Sequence, residues 1–175
     1  DENMSFVYSF SKILKIKEKL FINAMKSFKG LPHRFEIFLN KKNIVFINDS
    51  KATSFRATQS ALSSLKNIYW IVGGLPKKGD KIKLSKLKNN ISKCYLIGKN
   101  TNFFKRQLQN KLFFAETKTL KNSIINIFRD IKPFKNSNKN ILLSPAAASF
   151  DQFSNFEDRG NEFKKLCKKY AKKLI

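Results

Sequence analysis

Apolar residues follow two spacings along this 175-residue chain, one typical of helices and one typical of strands. In residues 1–30 they recur every three or four positions, which predicts two short amphipathic helices. The apolar faces consist of Val7, Phe10, Ile13 and Leu14 in the first helix and of Leu20, Phe21, Ala24, Met25 and Phe28 in the second. Gly30-Leu31-Pro32 ends the second helix, and we expect both faces to be buried in a core.

Continuous apolar runs follow. Residues 33–39 and 44–48 flank the polar turn 40–43 and predict a β-hairpin. Further strands are predicted at 68–72, 94–98, 112–114 and 140–144, and helices at 53–66, 80–90, 101–110, 118–131 and 155–173. Strands that are apolar on both faces and alternate with helices predict an α/β fold with a doubly wound, mainly parallel, Rossmann-like sheet.

In such a sheet, functional residues lie in the loops that follow the carboxyl ends of the strands. Four loops qualify, at 49–53, 73–80, 98–101 and 144–153. The first, Asp49-Ser50-Lys51-Ala52-Thr53, precedes a predicted helix, where backbone N–H groups and the helix dipole favour phosphate. The alternative is that Asp49 or Ser50 only caps this helix.

The loop at 73–80 is rich in glycine and lysine. It is not a Walker loop, because Gly79 is followed by Asp80 and not by Lys and then Ser or Thr. Lys77 either binds a carboxylate or phosphate or is one lysine of a polar turn, and the residues alone leave both interpretations open.

The loop at 144–153 has small residues after a buried strand, so its backbone can approach a ligand and Ser149 can donate a hydrogen bond. His33 is the only histidine, and nothing in the sequence brings it to a serine for a catalytic triad. A structural hydrogen bond is its simpler role. Arg34 can reach a phosphate or form a surface ion pair.

The net charge is +24, which raises the alternative of a nucleic-acid-binding module. However, 31 of the 36 basic residues are lysines spread along the whole chain, whereas specific nucleic-acid contacts favour arginine. We therefore interpret the charge as a solvated surface and expect no nucleic-acid partner. No apolar run approaches the roughly 20 residues that cross a bilayer. We expect a cytoplasmic protein without stable membrane insertion, with Cys94 and Cys167 as free thiols.

Five motifs occur in one order along the chain. They are Leu31-Pro32-His33-Arg34-Phe35-Glu36, Ile47-Asn48-Asp49-Ser50-Lys51-Ala52-Thr53, Gly73-Gly74 with Lys77 and Asp80, the segment from Leu143 to Phe153, and Phe156-Glu157-Asp158-Arg159-Gly160 with Phe163. Together they closely resemble the C-terminal domain of the Mur ligases of peptidoglycan synthesis, in their D-glutamate-adding branch. The resemblance covers about residues 30–170 and assigns 30–175 to that domain. Residues 1–29 look like the last helices of the family's central, ATP-binding domain.

The resemblance implies a reaction. ATP phosphorylates the carboxylate of UDP-N-acetylmuramoyl-L-alanine, Mg²⁺ neutralises the phosphate charge, and the amine of D-glutamate attacks the acyl phosphate. Residue by residue, Arg34 and Asp49 match the family's ATP contacts, and Asn3 matches one by spacing alone. The residues that match the D-glutamate site are Thr53, Lys77, Ser149, Phe150 and Phe156.

The chain departs from the family pattern at three places. Ser54 stands where an Asn is usual, Leu75-Pro76 replaces a more polar turn, and Phe150 replaces a Leu. The family's Walker loop, metal-binding acid and modified lysine are absent, so the resemblance implies no metal ligand here and no activity without the protein's own central domain. The alternative enzyme is another Mur-type or folylpolyglutamate-type ligase.

Overall fold

The computed structural model describes residues 2–85, 87–133 and 137–172, except for the side chains of residues 2 and 3. The chain divides into two compact units, residues 1–30 and residues 31–175. Their assignment to two different domains of a longer protein stays a prediction.

The first unit contains two helices, α1 (Glu2–Ile13) and α2 (Glu18–Ser27). Both were expected, and within the described residues their apolar faces are largely exposed, so their burial in a core stays a prediction. Helix α2 has no buried residue, and the exposed apolar side chains of the unit include Val7, Phe10, Ile13, Leu14, Leu20 and Phe28. Tyr8 and Phe21 stack edge-on, with ring centroids 5.4 Å apart. Two short helices offer too little surface to each other to bury two apolar faces.

The second unit contains a six-stranded sheet. Its strands are β1 (Glu36–Lys41), β2 (Ile44–Asn48), β3 (Ile68–Gly73), β4 (Ile91–Ile97), β5 (Phe114–Lys118) and β6 (Lys139–Leu143). The strand order is β1-β2-β6-β3-β4-β5. Only β1 runs antiparallel to its neighbour, as the predicted hairpin requires. The mainly parallel α/β sheet is thus confirmed, although β5 begins at the end of the strand predicted at 112–114.

Within the described residues, four helices cover the sheet, namely α3 (Phe55–Ser64), α4 (Thr101–Leu108), α5 (Leu120–Ile131) and α6 (Phe156–Ala171). Each begins and ends within two residues of its predicted bounds. In the part of the chain that the structure describes, no helix has both the length and the apolar character needed to cross a membrane.

The helix predicted near 80–90 is wrong. The described residues of this segment contain only a short 3-10 turn, Lys88–Asn90. The side chain of Gln107 on α4 satisfies the backbone here, since it accepts from Ile82 N at 2.9 Å and donates to Asp80 O at 3.0 Å. Leu84 and Leu87 are buried in the core. An irregular segment, fixed in part by the Gln107 side chain on α4, therefore takes the place of the predicted helix.

The core lies on both faces of the sheet. Alternate residues of a strand point to opposite faces, so the neighbours Phe46 and Ile47 belong to different apolar clusters. Ile47 and Trp70 pack on one side with Leu62 of α3. Phe46 and Ile71 pack on the other with residues of α5 and α6, including Ile124 and Phe163.

This arrangement places the carboxyl ends of five parallel strands at one edge of the sheet. Backbone hydrogen bonds continue beyond the strands there, from Asp49 N to Leu143 O at 2.7 Å and from Gly73 N to Pro145 O at 2.9 Å. The loops that follow β2, β3 and β6 are therefore connected by backbone hydrogen bonds at the points where they leave the strands.

A matched pair of substitutions on α5 tests which helix face is buried. Ile124 is fully buried and its neighbour Ile125 is 37% exposed. Ile124→Ala should lower the free energy of unfolding by about 2–5 kcal/mol, because a cavity replaces core contacts. Ile125→Ala should lower it by less than about 1 kcal/mol. Urea unfolding followed by circular dichroism measures both, and equal losses would contradict the assigned face.

Candidate functional site

The four loops predicted to carry function meet at the carboxyl edge of the sheet. Leu75 and Ala148 form an antiparallel bridge, with both N–H···O distances at 2.9 Å. Lys99 N donates to the carboxylate of Asp151 at 2.9 Å, which joins the loop after β4 to the loop after β6. The structure thus brings together segments that lie up to a hundred residues apart.

Asp49 is buried at the junction of β2 and β6, with 9% of its surface exposed. Its carboxylate accepts hydrogen bonds from Phe35 N at 3.1 Å and from the hydroxyl of Ser144 at 2.6 Å. Burial raises the pKa of the carboxyl above its usual range, and the two hydrogen bonds and the charge of Arg34 oppose this rise only in part. Asp49 therefore ties the segment around Arg34 to the end of β6.

Arg34 lies between two residues with left-handed backbone. His33 has a φ of 63° and Phe35 a φ of 45°, conformations that are strained in non-glycine residues and persist only where the surroundings enforce them. Here His33 O accepts from Lys51 N at 3.1 Å, and His33 N donates to the carboxylate of Glu36 at 3.0 Å. The exposed guanidinium of Arg34 makes no hydrogen bond or ion pair within the described residues, so it can meet an anion.

His33 is buried in a notch on α6. Its Nδ1 lies 2.9 Å from the Asn48 amide nitrogen, so Nδ1 is the acceptor and the imidazole is neutral. Burial, and secondarily the charge of Lys164, lower the pKa of His33, which favours the same form. A Cβ atom at Gly160 would lie 2.2 Å from His33 Nδ1, so the ring fits only because residue 160 has no side chain.

The N-terminus of α3 is capped by residues other than those considered first. The hydroxyl of Ser54 accepts from Ala57 N at 3.3 Å, and the carboxylate of Asp80 accepts from Phe55 N at 2.8 Å. Asp49 and Ser50 do not cap this helix. Asp80, which the sequence offered only as part of a motif, thus anchors the loop at 73–80 to α3.

The residues predicted to bind D-glutamate lie on the converging loops. Thr53 is half-buried, Lys77 is exposed in a turn closed by a 3.2 Å hydrogen bond from Asp80 N to its carbonyl, and Ser149 is buried. The side chains of all three make no hydrogen bonds within the described residues; those of Thr53 and Lys77 are accessible to a ligand, whereas Ser149 is only 2% exposed.

The two predicted aromatic residues differ in environment. Phe150 is 70% exposed. Phe156 is half-buried, lies edge-on to His33 with centroids 5.9 Å apart, and has the Lys51 ammonium 3.8 Å from its ring centroid. Phe156 is therefore positioned as a fixed wall, whereas Phe150 projects outward.

Two further expectations concern Asn3 and metal ligands. Asn3 is the second residue of α1 in the unit 1–30, and its side chain lies outside the described residues. Among the residues that the structure describes, no three His, Cys, Asp or Glu side chains gather as metal ligands would.

Arg159 is the residue whose role the sequence did not predict. It is 1% exposed, and it donates from Nε to the Ser50 hydroxyl at 3.0 Å, and from one terminal nitrogen to Ser50 O at 2.8 Å and to Ala147 O at 3.0 Å. A signal was present, because helical spacing places Arg159 on the face of α6 that carries Phe156 and Phe163.

Comparison with known proteins identifies relatives of this chain. No family model matches. The chain is 40% identical over 168 residues to the UDP-N-acetylmuramoylalanine–D-glutamate ligase of Wolbachia sp. subsp. Brugia malayi. The aligned residues make up 96% of this chain and 34% of that protein. The chain is 42% identical over 144 residues to the ligase of the same name from Nitrobacter hamburgensis (82% and 31%), and 34% identical over 173 residues to that from Rickettsia felis (99% and 38%).

These relatives confirm the resemblance seen in the sequence. The chain spans about a third of the length of the curated relatives that it matches.

The raised pKa of Asp49 leads to a pH-dependent prediction. Because the folded state binds this proton more tightly than the unfolded state, ionised Asp49 disfavours folding. The unfavourable contribution is absent below the ordinary aspartate pKa and complete above the raised pKa. Asp49→Asn, which stays neutral, should therefore gain stability relative to the unsubstituted chain as the pH rises through this window. Urea unfolding at a series of pH values measures the difference, and a difference that falls with pH would contradict the assignment.

Proposed function

We propose that this chain is the C-terminal part of an ATP-dependent ligase that joins D-glutamate to UDP-N-acetylmuramoyl-L-alanine in peptidoglycan precursor synthesis. The observation that carries the proposal is the meeting of the family-like motifs at one sheet edge, in a chain 34–42% identical to such ligases over most of its length. Because the chain spans only a third of these relatives, its share of the reaction is argued from its own residues.

Arg34 is the residue best suited to the nucleotide. Its guanidinium is exposed and lacks a partner within the described residues, and two strained, hydrogen-bonded neighbours hold its backbone. A guanidinium matches the geometry of phosphate oxygens. ATP, when bound, supplies the phosphoryl group that activates the alanyl carboxylate. Asp49, with both carboxylate oxygens already hydrogen-bonded, would act on this side chiefly by fixing the loop that presents Arg34.

The D-glutamate side of the reaction would use Thr53, Lys77 and Ser149. Lys77 offers a positive charge to a carboxylate, and the two hydroxyl groups complete an anion-binding set on neighbouring loops. Phe156 would form an apolar wall beside them. Holding the amine of D-glutamate in line with the activated carbonyl is a positioning task, which converts an encounter in solution into an oriented attack.

The remaining chemistry lies with the rest of the ligase. We assign the steps that need Mg²⁺ to the central domain and none to this chain. We propose that closure onto the protein's own central domain brings Arg34, Asp49 and Lys77 to the reacting groups. The chain alone should then be inactive. Both ATP and the UDP-linked substrate are cytoplasmic metabolites, and we place the reaction there.

An amino-acid panel tests the function. The full-length ligase containing this chain is incubated with ATP, Mg²⁺ and UDP-N-acetylmuramoyl-L-alanine, and phosphate release is measured with each amino acid in turn. D-Glutamate alone should support rapid release, because it combines the D configuration with a side-chain carboxylate at the required distance from the amine; D-aspartate, which is one methylene shorter, and L-glutamate each lack one of these features. Release with a different amino acid would favour another Mur-type ligase. Release with a folate substrate and L-glutamate would favour a folylpolyglutamate-type enzyme.

Lys77 allows a sharper test in the same enzyme. Lys77→Ala should raise the KM for D-glutamate about 10- to 100-fold, because a charge-assisted hydrogen bond to the carboxylate is lost. Lys78→Ala is the matched control, since Lys78 is the next residue in the same exposed turn, and it should change this KM by less than about twofold. Steady-state kinetics with varied D-glutamate measure both. An unchanged KM for Lys77→Ala would remove this residue from the site.

A further inference from the structure

Arg159 is a buried cation whose hydrogen-bond acceptors are all neutral. Three hydrogen bonds join its guanidinium to the Ser50 hydroxyl, the Ser50 carbonyl and the Ala147 carbonyl. The second terminal nitrogen is buried and makes no hydrogen bond within the described residues. Buried charges are usually paired with an opposite charge, because leaving one unpaired is costly. A buried cation without such a pair therefore calls for a functional explanation.

The charge on Arg159 persists at neutral pH. Burial lowers the pKa of the guanidinium to about 10, against a smaller opposing effect of Asp151. Asp151 does not pair directly with Arg159 among the described contacts, since its carboxylate accepts from Lys99 N. The loops above Arg159 are thus subject to a positive charge that is only partly balanced by protein groups.

The position of the guanidinium relates it to the proposed D-glutamate site. Ser50 lies three residues before Thr53, and Ala147 lies two residues before Ser149. The nitrogen without a partner lies 3.3 Å from where a Cβ atom on Gly74 would stand, three residues before Lys77. Arg159 therefore contacts or adjoins all three loops that carry the proposed anion-binding side chains.

We propose that Arg159 is the positioning and specificity-determining residue of the amino-acid site. It holds the loops at 49–53 and 144–153 in one arrangement, and its buried charge favours an amino acid that carries a side-chain carboxylate. This inference rests on the proposed function and assigns no contact between Arg159 and the substrate. Its charge acts through the low dielectric of the buried site, where electrostatic interactions are stronger than in water.

A purely structural role makes a different prediction. If Arg159 only ties loops together, its planar fork is essential, and a lysine should fail as badly as a neutral residue, because one ammonium cannot reproduce the fork geometry. If the charge matters, lysine should preserve most of the preference for D-glutamate. The comparison of Arg159→Lys with Arg159→Gln therefore separates the two roles.

The experiment uses the full-length ligase containing this chain, with KM measured separately for D-glutamate, ATP and UDP-N-acetylmuramoyl-L-alanine. Arg159→Gln should raise the KM for D-glutamate about tenfold or more, with the other two KM values within about threefold of the unsubstituted enzyme. Arg159→Lys should stay within about fivefold for D-glutamate. Lys165→Gln on the exposed side of α6 is the control and should change none of the three.

Asp151→Asn provides a test that does not depend on the folding of the Arg159 variants. Asparagine retains an oxygen to accept from Lys99 N but removes the negative charge that offsets Arg159. The KM for D-glutamate should fall about two- to threefold. An unchanged or higher KM for D-glutamate in Asp151→Asn would overturn the inference about Arg159 but not the proposed function. Equal increases in all three KM values for both Arg159→Gln and Arg159→Lys would do the same. Absence of D-glutamate-dependent phosphate release in the unsubstituted enzyme would overturn the proposed function as well.

Discussion

The junction of β2 and β6 depends on hydrogen bonds made by buried polar groups beyond the ends of the strands. Asp49 accepts from Phe35 N and from Ser144, and Arg159 spans Ser50 and Ala147. Hydrophobic burial holds the sheet and its helices together but is not directional. The hydrogen bonds at this edge give the loops their fixed relative positions, so the geometry of the candidate site rests on polar interactions inside an apolar framework.

Charge has two separate roles in this molecule. Most of the lysines behind the net charge of +24 contribute to the surface, and such solvated charges add little to stability individually. The few acidic residues are used more selectively. Glu36 accepts from His33 N, Asn48 and Lys164, and Asp130 accepts from Lys93 and Tyr95. The chain has only 12 acidic residues, and these two contribute to the structure through their positions, where each accepts several hydrogen bonds.

Sequence periodicity predicted the sheet, the helices on its faces and the loops at its carboxyl edge. Strands that are buried on both faces are continuous apolar runs, and helices that pack on them have apolar residues every three or four positions. It failed where a partner distant in sequence decides the local structure. Gln107 holds the segment after Asp80 without a helix, and the burial of Arg159 depends on carbonyl groups from two other loops. The apolar spacing in residues 1–30 predicted helices correctly but not what covers them. The proposed chemistry comes from the similarity to known ligases, because the spacing of residues alone left it open.

The notch at Gly160 limits how this protein can change. Because the His33 ring occupies the space of a Cβ atom at residue 160, a larger residue there displaces His33, and with it the strained backbone that presents Arg34. A smaller residue at 33 would relieve the clash but would remove one of the two acceptors of the Asn48 amide and leave it only Glu36. The two positions, one before the first strand and one in the last helix, are therefore sterically coupled, so the size of the side chain at one limits the size that the other can have.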